Sequence, residues 1–268
     1  MSLTKTIVLR KVILSKSTIN KTVIKSIYVA AFMFCCSAFG NDWQALYKRP
    51  SSIPFPSNNL YSTEKAALGK MLFFDPRLSQ NFNMTCATCH NPSFGWEDAT
   101  ETSIGSQNTS LSRHSPTIIN MAWGKSFFWD GRAKTLEAQA QGPIESEVEM
   151  NISLDTVVKR LSKVPQYTEW FKRVFGSSGI SGDNIRKAIA TYERTLVSGL
   201  APFDLWIGGD ESAISNSAKR GFTLFNGKAS CATCHQGWNF TDNQFHDVGL
   251  LGDDLGLGAL TKKSKDSF

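Results

Sequence analysis

Two identical pentapeptides, Cys86-Ala87-Thr88-Cys89-His90 and Cys231-Ala232-Thr233-Cys234-His235, hold the most specific chemistry in this 268-residue sequence. In such a unit the two thiols add to the two vinyl groups of one haem, and the histidine beside them lies under the iron as its proximal ligand. Other readings of paired cysteines fit less well. Cys-x-x-Cys knuckles that share a zinc ion usually stand about 15–20 residues apart, whereas these motifs open at residues 86 and 231. A thioredoxin-like dithiol expects one motif beside a βαβ unit, and no strand pattern of any length is visible. The motifs therefore predict two covalently bound haems c, attached through Cys86, Cys89, Cys231 and Cys234, with His90 and His235 as iron ligands.

Of the six cysteines, Cys35 and Cys36 fall near the N-terminus and the other four in the motifs, so none remains for a structural disulfide. The two other histidines, His114 and His246, read first as packed or hydrogen-bonded loop residues and only second as iron ligands. Residues 1–40 read as a signal peptide. Lys5, Arg10, Lys11, Lys16, Lys21 and Lys25 form a basic start without an acid, and an apolar run from Ile27 to Phe39 follows. Ala38 and Gly40 suit the small positions of a cleavage site, and Phe34 before Cys35 speaks against lipidation. The run is short for a membrane span, so an uncleaved anchor is the second reading, and the mature chain is expected in the periplasm without a span. Whole-chain charge is +6, from 29 basic and 23 acidic residues. Removing the six basic residues of the leader leaves a neutral mature chain, which gives no support to nucleic-acid binding.

Helices must hold the motifs in place. Ser62 reads as an N-cap ahead of Ala67, Leu68, Met71 and Leu72, in a helix ending near Phe74. Leu136 to Ala140 reads as helical. Ser153 caps Leu154, Val157, Val158 and Leu161, and Pro165 interrupts before a short helix from Tyr167 to Phe175. After a break at Ile180–Gly182, Ile185, Ile189, Tyr192 and Leu196 make the longest apolar stripe, and a helix from about Ser217 to Phe225 leads into the second motif. Asn41 to Asn59 reads as an extended arm. Asn91 to Arg113 has almost no periodicity, which suits a segment wrapped round a large cofactor. The expected fold is all-α: two cytochrome c-like haem domains with long irregular loops, over 41–160 and 161–268.

Several stretches carry a resemblance. They are LGKMLFFDPRLS before the first motif, RHSPTIIN at 113–120, FFWDGRAKTLEAQAQGPIESEVEM at 127–150, TYERTL at 191–196, GFTLFNGKASCATCH at 221–235 and FTDNQFHDVG at 240–249. From about Leu60 onward the sequence resembles the bacterial dihaem cytochrome c peroxidases, and within them the MauG-like enzymes. The resemblance implies haems held across a domain interface, reaction with hydrogen peroxide at the first and electron storage at the second. It also implies that Trp129 relays electrons between the haems, and that Gln139 and Glu149 line the peroxide pocket. A carboxylate near the iron can take the proton of the inner peroxide oxygen and return it to the leaving one, while an amide orients the molecule.

Three departures shape what is expected. Many peroxidases have a histidine after the glycine of the first loop; here Ser106 follows Gly105, which predicts a five-coordinate, open first haem as in the MauG-like branch. The family's calcium site uses an asparagine where this chain has His114, which weighs against calcium and leaves His114 to bond a propionate. The chain ends at Phe268 where relatives continue, and no Met or Tyr follows His235. The second haem domain therefore reads as incomplete, with His246 the one strong ligand left there. The resulting expectation is a peroxide-dependent oxidoreductase. Its partner is a small cytochrome or copper protein as donor, or, in the MauG-like manner, a protein substrate losing electrons from Trp or Tyr. The alternative is a non-catalytic dihaem electron-transfer cytochrome or a degenerate fragment.

Overall fold

The computed structural model describes residues 43–249 and 252–262. The expected signal peptide, residues 1–40, lies outside the described residues, and no described helix is long and apolar enough to cross a membrane. Of the described residues, those from Tyr47 onward form one compact unit.

Helix α1 (Trp43–Tyr47) replaces part of the expected extended arm. Helix α2 (Thr63–Phe73) starts where Ser62 Oγ accepts the Lys65 N–H and buries Leu68, Leu72 and Phe73. The first motif forms the single turn α3 (Cys86–Cys89). Helix α4 (Leu136–Glu145), capped by Thr135, runs one turn beyond the expected end and contains Pro143. Helices α5 (Leu154–Leu161) and α6 (Pro165–Phe175) follow. Pro165 opens α6 rather than interrupting it, because a first-turn position has no helical N–H bond to lose. Helix α7 (Gly182–Arg194) begins at Ser181, whose Oγ accepts the Asn184 N–H. Helices α8 (Pro202–Ile207), α9 (Asn216–Asn226) and α10 (Leu257–Thr261) complete the order. Among the described residues only isolated bridges occur in place of strands, and the fold is all-α with long irregular loops.

The core is one apolar cluster that includes Leu68, Leu72 and Phe73 of α2, Ile144 of α4, Val157 and Leu161 of α5, Phe171 of α6, and Ile185, Ile189 and Tyr192 of α7. It therefore continues across residue 160. α2 and α7 cross so closely that a Cβ on Gly69 would stand 1.9 Å from the Ala188 carbonyl oxygen. Glycine is required there by contact, since no side chain can interpenetrate the facing backbone. A second aromatic group gathers Tyr47, Phe203, Phe222, Phe225 and Phe240, with ring centroids about 5–6 Å apart. It flanks the second motif.

Candidate functional site

The first motif opens on a cavity of about 740 Å³. Cys86, Cys89 and His90 stand on its wall together with Trp129, Gln139 and Glu149. Residues spread from position 86 to position 149 are thus brought to one space by α3, by the loop before α4, by α4 itself and by the turn after it. Much of the remaining lining is apolar, including Met84, Ile118, Met121, Phe127 and Ile189.

His90 is fixed by its own turn. Its backbone N–H bonds the Cys86 carbonyl at 2.9 Å. Its Nδ1 lies 3.2 Å from the Trp96 carbonyl, and a carbonyl can only accept, so Nδ1 carries the proton and Nε2 keeps its lone pair. That is the tautomer a metal-binding imidazole needs. Burial pushes the His90 pKa down, toward the neutral form. Burial likewise raises both Cys86 and Cys89, which holds them as thiols, the form that adds across a vinyl bond.

Trp129 follows Phe128, whose φ of 64° is a left-handed conformation rare for an aromatic residue. Arg132 sits over the Phe128 ring at 3.5 Å. The turn swings the Trp129 indole so that Nε1 donates to the His114 carbonyl at 2.8 Å. Asp130 beneath it is buried and accepts from Arg113 at 2.8 Å and from Arg132 at 2.8 Å. Gly131 (φ +67°) has no room for a Cβ, which would meet Phe245 at 2.5 Å. The segment after the second motif therefore rests on the Trp129 turn.

Gln139 lies one turn into α4. Glu149 lies in the turn that follows α4, where Met150 N–H bonds the Pro143 carbonyl at 2.9 Å. Ser106 is buried and braces this turn. Its N–H meets the Val148 and Glu149 carbonyls at 3.0 and 3.1 Å, and its Oγ donates to the Glu147 carbonyl at 2.8 Å.

The second motif repeats the ligand geometry: His235 N–H bonds Cys231 O at 2.9 Å, and its Nδ1 lies 3.3 Å from the Phe240 carbonyl. His235 is exposed where His90 is half-buried. Trp238, three residues on, meets Trp123 edge to face at 4.8 Å. His246 is held by Asp242 at 2.8 Å. His114 bonds Thr100 O at 2.8 Å and Glu97 at 2.6 Å, so both ring nitrogens face acceptors, and it also stands on the wall of the first cavity. Sequence reasoning gave no role to Glu193 of α7, which is buried and lines the first cavity. Its signal was faint: a carboxylate four residues after Ile189 on an apolar stripe.

Two thiols and a correctly protonated histidine on the wall of a largely apolar cavity fit a covalently attached haem. The comparisons agree. The di-haem cytochrome c peroxidase family matches residues 63–212. Methylamine utilization protein MauG of Methylorubrum extorquens is 53% identical over 223 residues, covering 82% of this chain and 63% of the relative. That of Methylophilus methylotrophus is 50% identical, covering 80% and 64%. Cytochrome c551 peroxidase of Pseudomonas aeruginosa is 38% identical, covering 77% and 63%. The chain thus spans a little under two thirds of the length of these relatives. The crystal structure of a MauG-like protein associated with microbial copper homeostasis superposes with a TM-score of 0.71 at 27% identity, covering 83% of this chain and 73% of that one. The diheme peroxidase BthA of Burkholderia thailandensis shares the fold, with a TM-score of 0.65 at 21% identity over 76% of this chain and 62% of that one. Cavity, motifs and relatives converge: the chain belongs to the MauG-like branch of the di-haem cytochrome c peroxidase family, whose members carry two covalently attached haems c.

Proposed function

We propose that this chain is a periplasmic oxidoreductase that uses hydrogen peroxide as oxidant at its first motif and exchanges electrons through its second. The observation that carries the reading is the single cavity in which Gln139 and Glu149 face the same space as Cys86, Cys89 and His90. Bound there, a haem supplies the iron at which peroxide is reduced. Cys86 and Cys89 hold it, and His90 Nε2, aimed by the Nδ1 bond to Trp96, ligates it. Gln139 orients the peroxide by its amide, and the Glu149 carboxylate moves the proton between the two oxygens. Trp129, on the wall of the first cavity and two residues before the glycine that meets Phe245, relays electrons. His235 ligates the second haem, held by Cys231 and Cys234.

In this reading the chain comprises two haem-bearing parts, before and after about residue 160, and a leader that directs export. Ser106, locked onto the Glu147–Glu149 turn, leaves the first haem without a sixth protein ligand from that loop. This favours a MauG-like reaction, in which electrons are withdrawn from a protein substrate, over one fed by a small cytochrome or copper protein. The retained Gln139 and Glu149 speak against a purely electron-carrying cytochrome. The test is to add peroxide to the purified diferric protein and follow the Soret and near-infrared bands. Rapid spectral change at both haems supports the reading. An unchanged spectrum with both haems intact leaves the electron carrier in its place.

A further inference from the structure

We propose that Glu193 is the redox-linked proton carrier of the first cavity. It takes up one proton when the haem at Cys86, Cys89 and His90 gains an electron and releases it when that electron leaves. The inference rests on the reading that a haem occupies this cavity. Glu193 lies in the last turn of α7, is only 4% exposed and lines the cavity. Among the described residues its Oε2 finds no hydrogen-bond partner. A carboxylate closed off from water with a bare oxygen is costly, and the neutral acid is favoured instead.

The charges around it leave that preference standing. Burial raises Glu193 most, Arg194 opposes and Glu137 reinforces, and the acid is pushed up to about 8. Arg194 helps little because its guanidinium is spent on Glu137, at 2.7 and 3.0 Å. The other helices packed on α7 carry Glu64, Lys65 and Lys70 (α2), Glu145 (α4), and Asp155, Lys159 and Arg160 (α5). Of these elements' charges, Arg194 and Glu137 act most on Glu193. When ionised, Glu193 raises both the Cys86 thiol and the phenol of its sequence neighbour Tyr192, which places the acid at the thiol side of the cavity. His90, Arg113, His114, Arg132 and Glu149 share the same cavity wall.

A group poised between charged and neutral beside a redox centre couples the two equilibria, because charges a few ångströms apart in a low dielectric interact strongly. The step balances simply. With a haem bound at this site, one electron from a one-electron donor (a small redox protein, or a reduced mediator in the titration) would be taken up while one proton from solvent binds the Glu193 carboxylate, and return of the electron to the oxidised donor would release the proton. Glu149 is left for the peroxide proton.

The experiment is a potentiometric titration of the haem-loaded full chain at a series of pH values, with a ferrous-minus-ferric infrared difference spectrum. In the unaltered protein the first haem's potential is expected to fall by about 59 mV for each tenfold drop in proton concentration, across the window in which Glu193 titrates. The infrared spectrum should gain a protonated-carboxyl band on reduction. Glu193→Gln should flatten the slope and remove the band, while Glu149→Gln keeps both. A slope and band that survive Glu193→Gln overturn the inference. So does their absence from the unaltered protein, which needs no variant to fold. A pyridine haemochrome count separates the two ideas: haem present without coupling sinks only this inference, and an empty first cavity sinks the haem reading with it.

Discussion

At the scale of single residues, the first cavity places two carboxyl groups in contrasting settings. Glu149 stands in a turn braced by Ser106, half-buried at the cavity edge, whereas Glu193 is shut inside. Glu149→Gln keeps the shape and removes the base of the proposed function, so the reaction with peroxide is expected to slow by about 10²–10⁴-fold with unchanged haem content, as read by stopped-flow absorbance. Glu193 makes a stability prediction of the opposite kind. Its folded pKa, raised to about 8 by burial, lies above the ordinary carboxylate value. The folded state therefore holds the extra proton, and the stability contributed by Glu193 is complete below the unfolded pKa. It is lost as pH climbs toward 8 and changes no further beyond. Denaturant titrations of the unaltered protein and Glu193→Gln should differ by on the order of a few kcal/mol in pH dependence over that window. A parallel pair of curves would contradict it.

At the scale of elements, the closest contact is the crossing of α2 and α7. Gly69→Ala forces a methyl group into the Ala188 carbonyl and should destabilise the fold by about 1–3 kcal/mol or more, measured as a lowered denaturation midpoint. The buried Glu137–Arg194 pair ties α4 to α7 in the same region. Glu137→Gln should cost about 3–5 kcal/mol, because it strands the guanidinium. Most of these elements are legible in the amino-acid order. Ser62 and Ser153 stand ahead of apolar residues spaced by three and four, and both cap helices as expected. The break at Ile180–Gly182 is the N-cap of α7, at Ser181. α4 reads one turn short because Gly142-Pro143 looks like a stop. In the fold, Ile144 behind it is anchored in the core, and packing overrides propensity. α1 hides inside a Pro- and Ser-rich stretch. The site divides the same way. The Cys-x-x-Cys-His units announce their chemistry through spacing alone, whereas Glu193 is invisible until α7 turns it inward, since nothing in a sequence marks which charge on an apolar stripe faces a cavity.

At the scale of the molecule, two motifs at residues 86 and 231 serve a core that runs through residue 160 without interruption. Each histidine nonetheless takes its carbonyl partner from its own loop, Trp96 for His90 and Phe240 for His235. Replacing Cys231 and Cys234 by alanine should therefore lower the haem count from two to one per chain while leaving the first haem's peroxide reaction in its opening phase. A pyridine haemochrome assay with intact mass reads the outcome, and loss of both haems would show the sites to be interdependent.

One place where the loops of the two sites meet is Gly131, on which the Phe245 ring closes so tightly that a Cβ would stand 2.5 Å from it. Electron tunnelling decays steeply with separation, so the missing side chain at position 131 acts as a spacer of zero thickness. One added methyl group would prise the loops apart and, in the function proposed above, slow the exchange of electrons between the two haem sites, with every ligand and every proton-bearing group still in place.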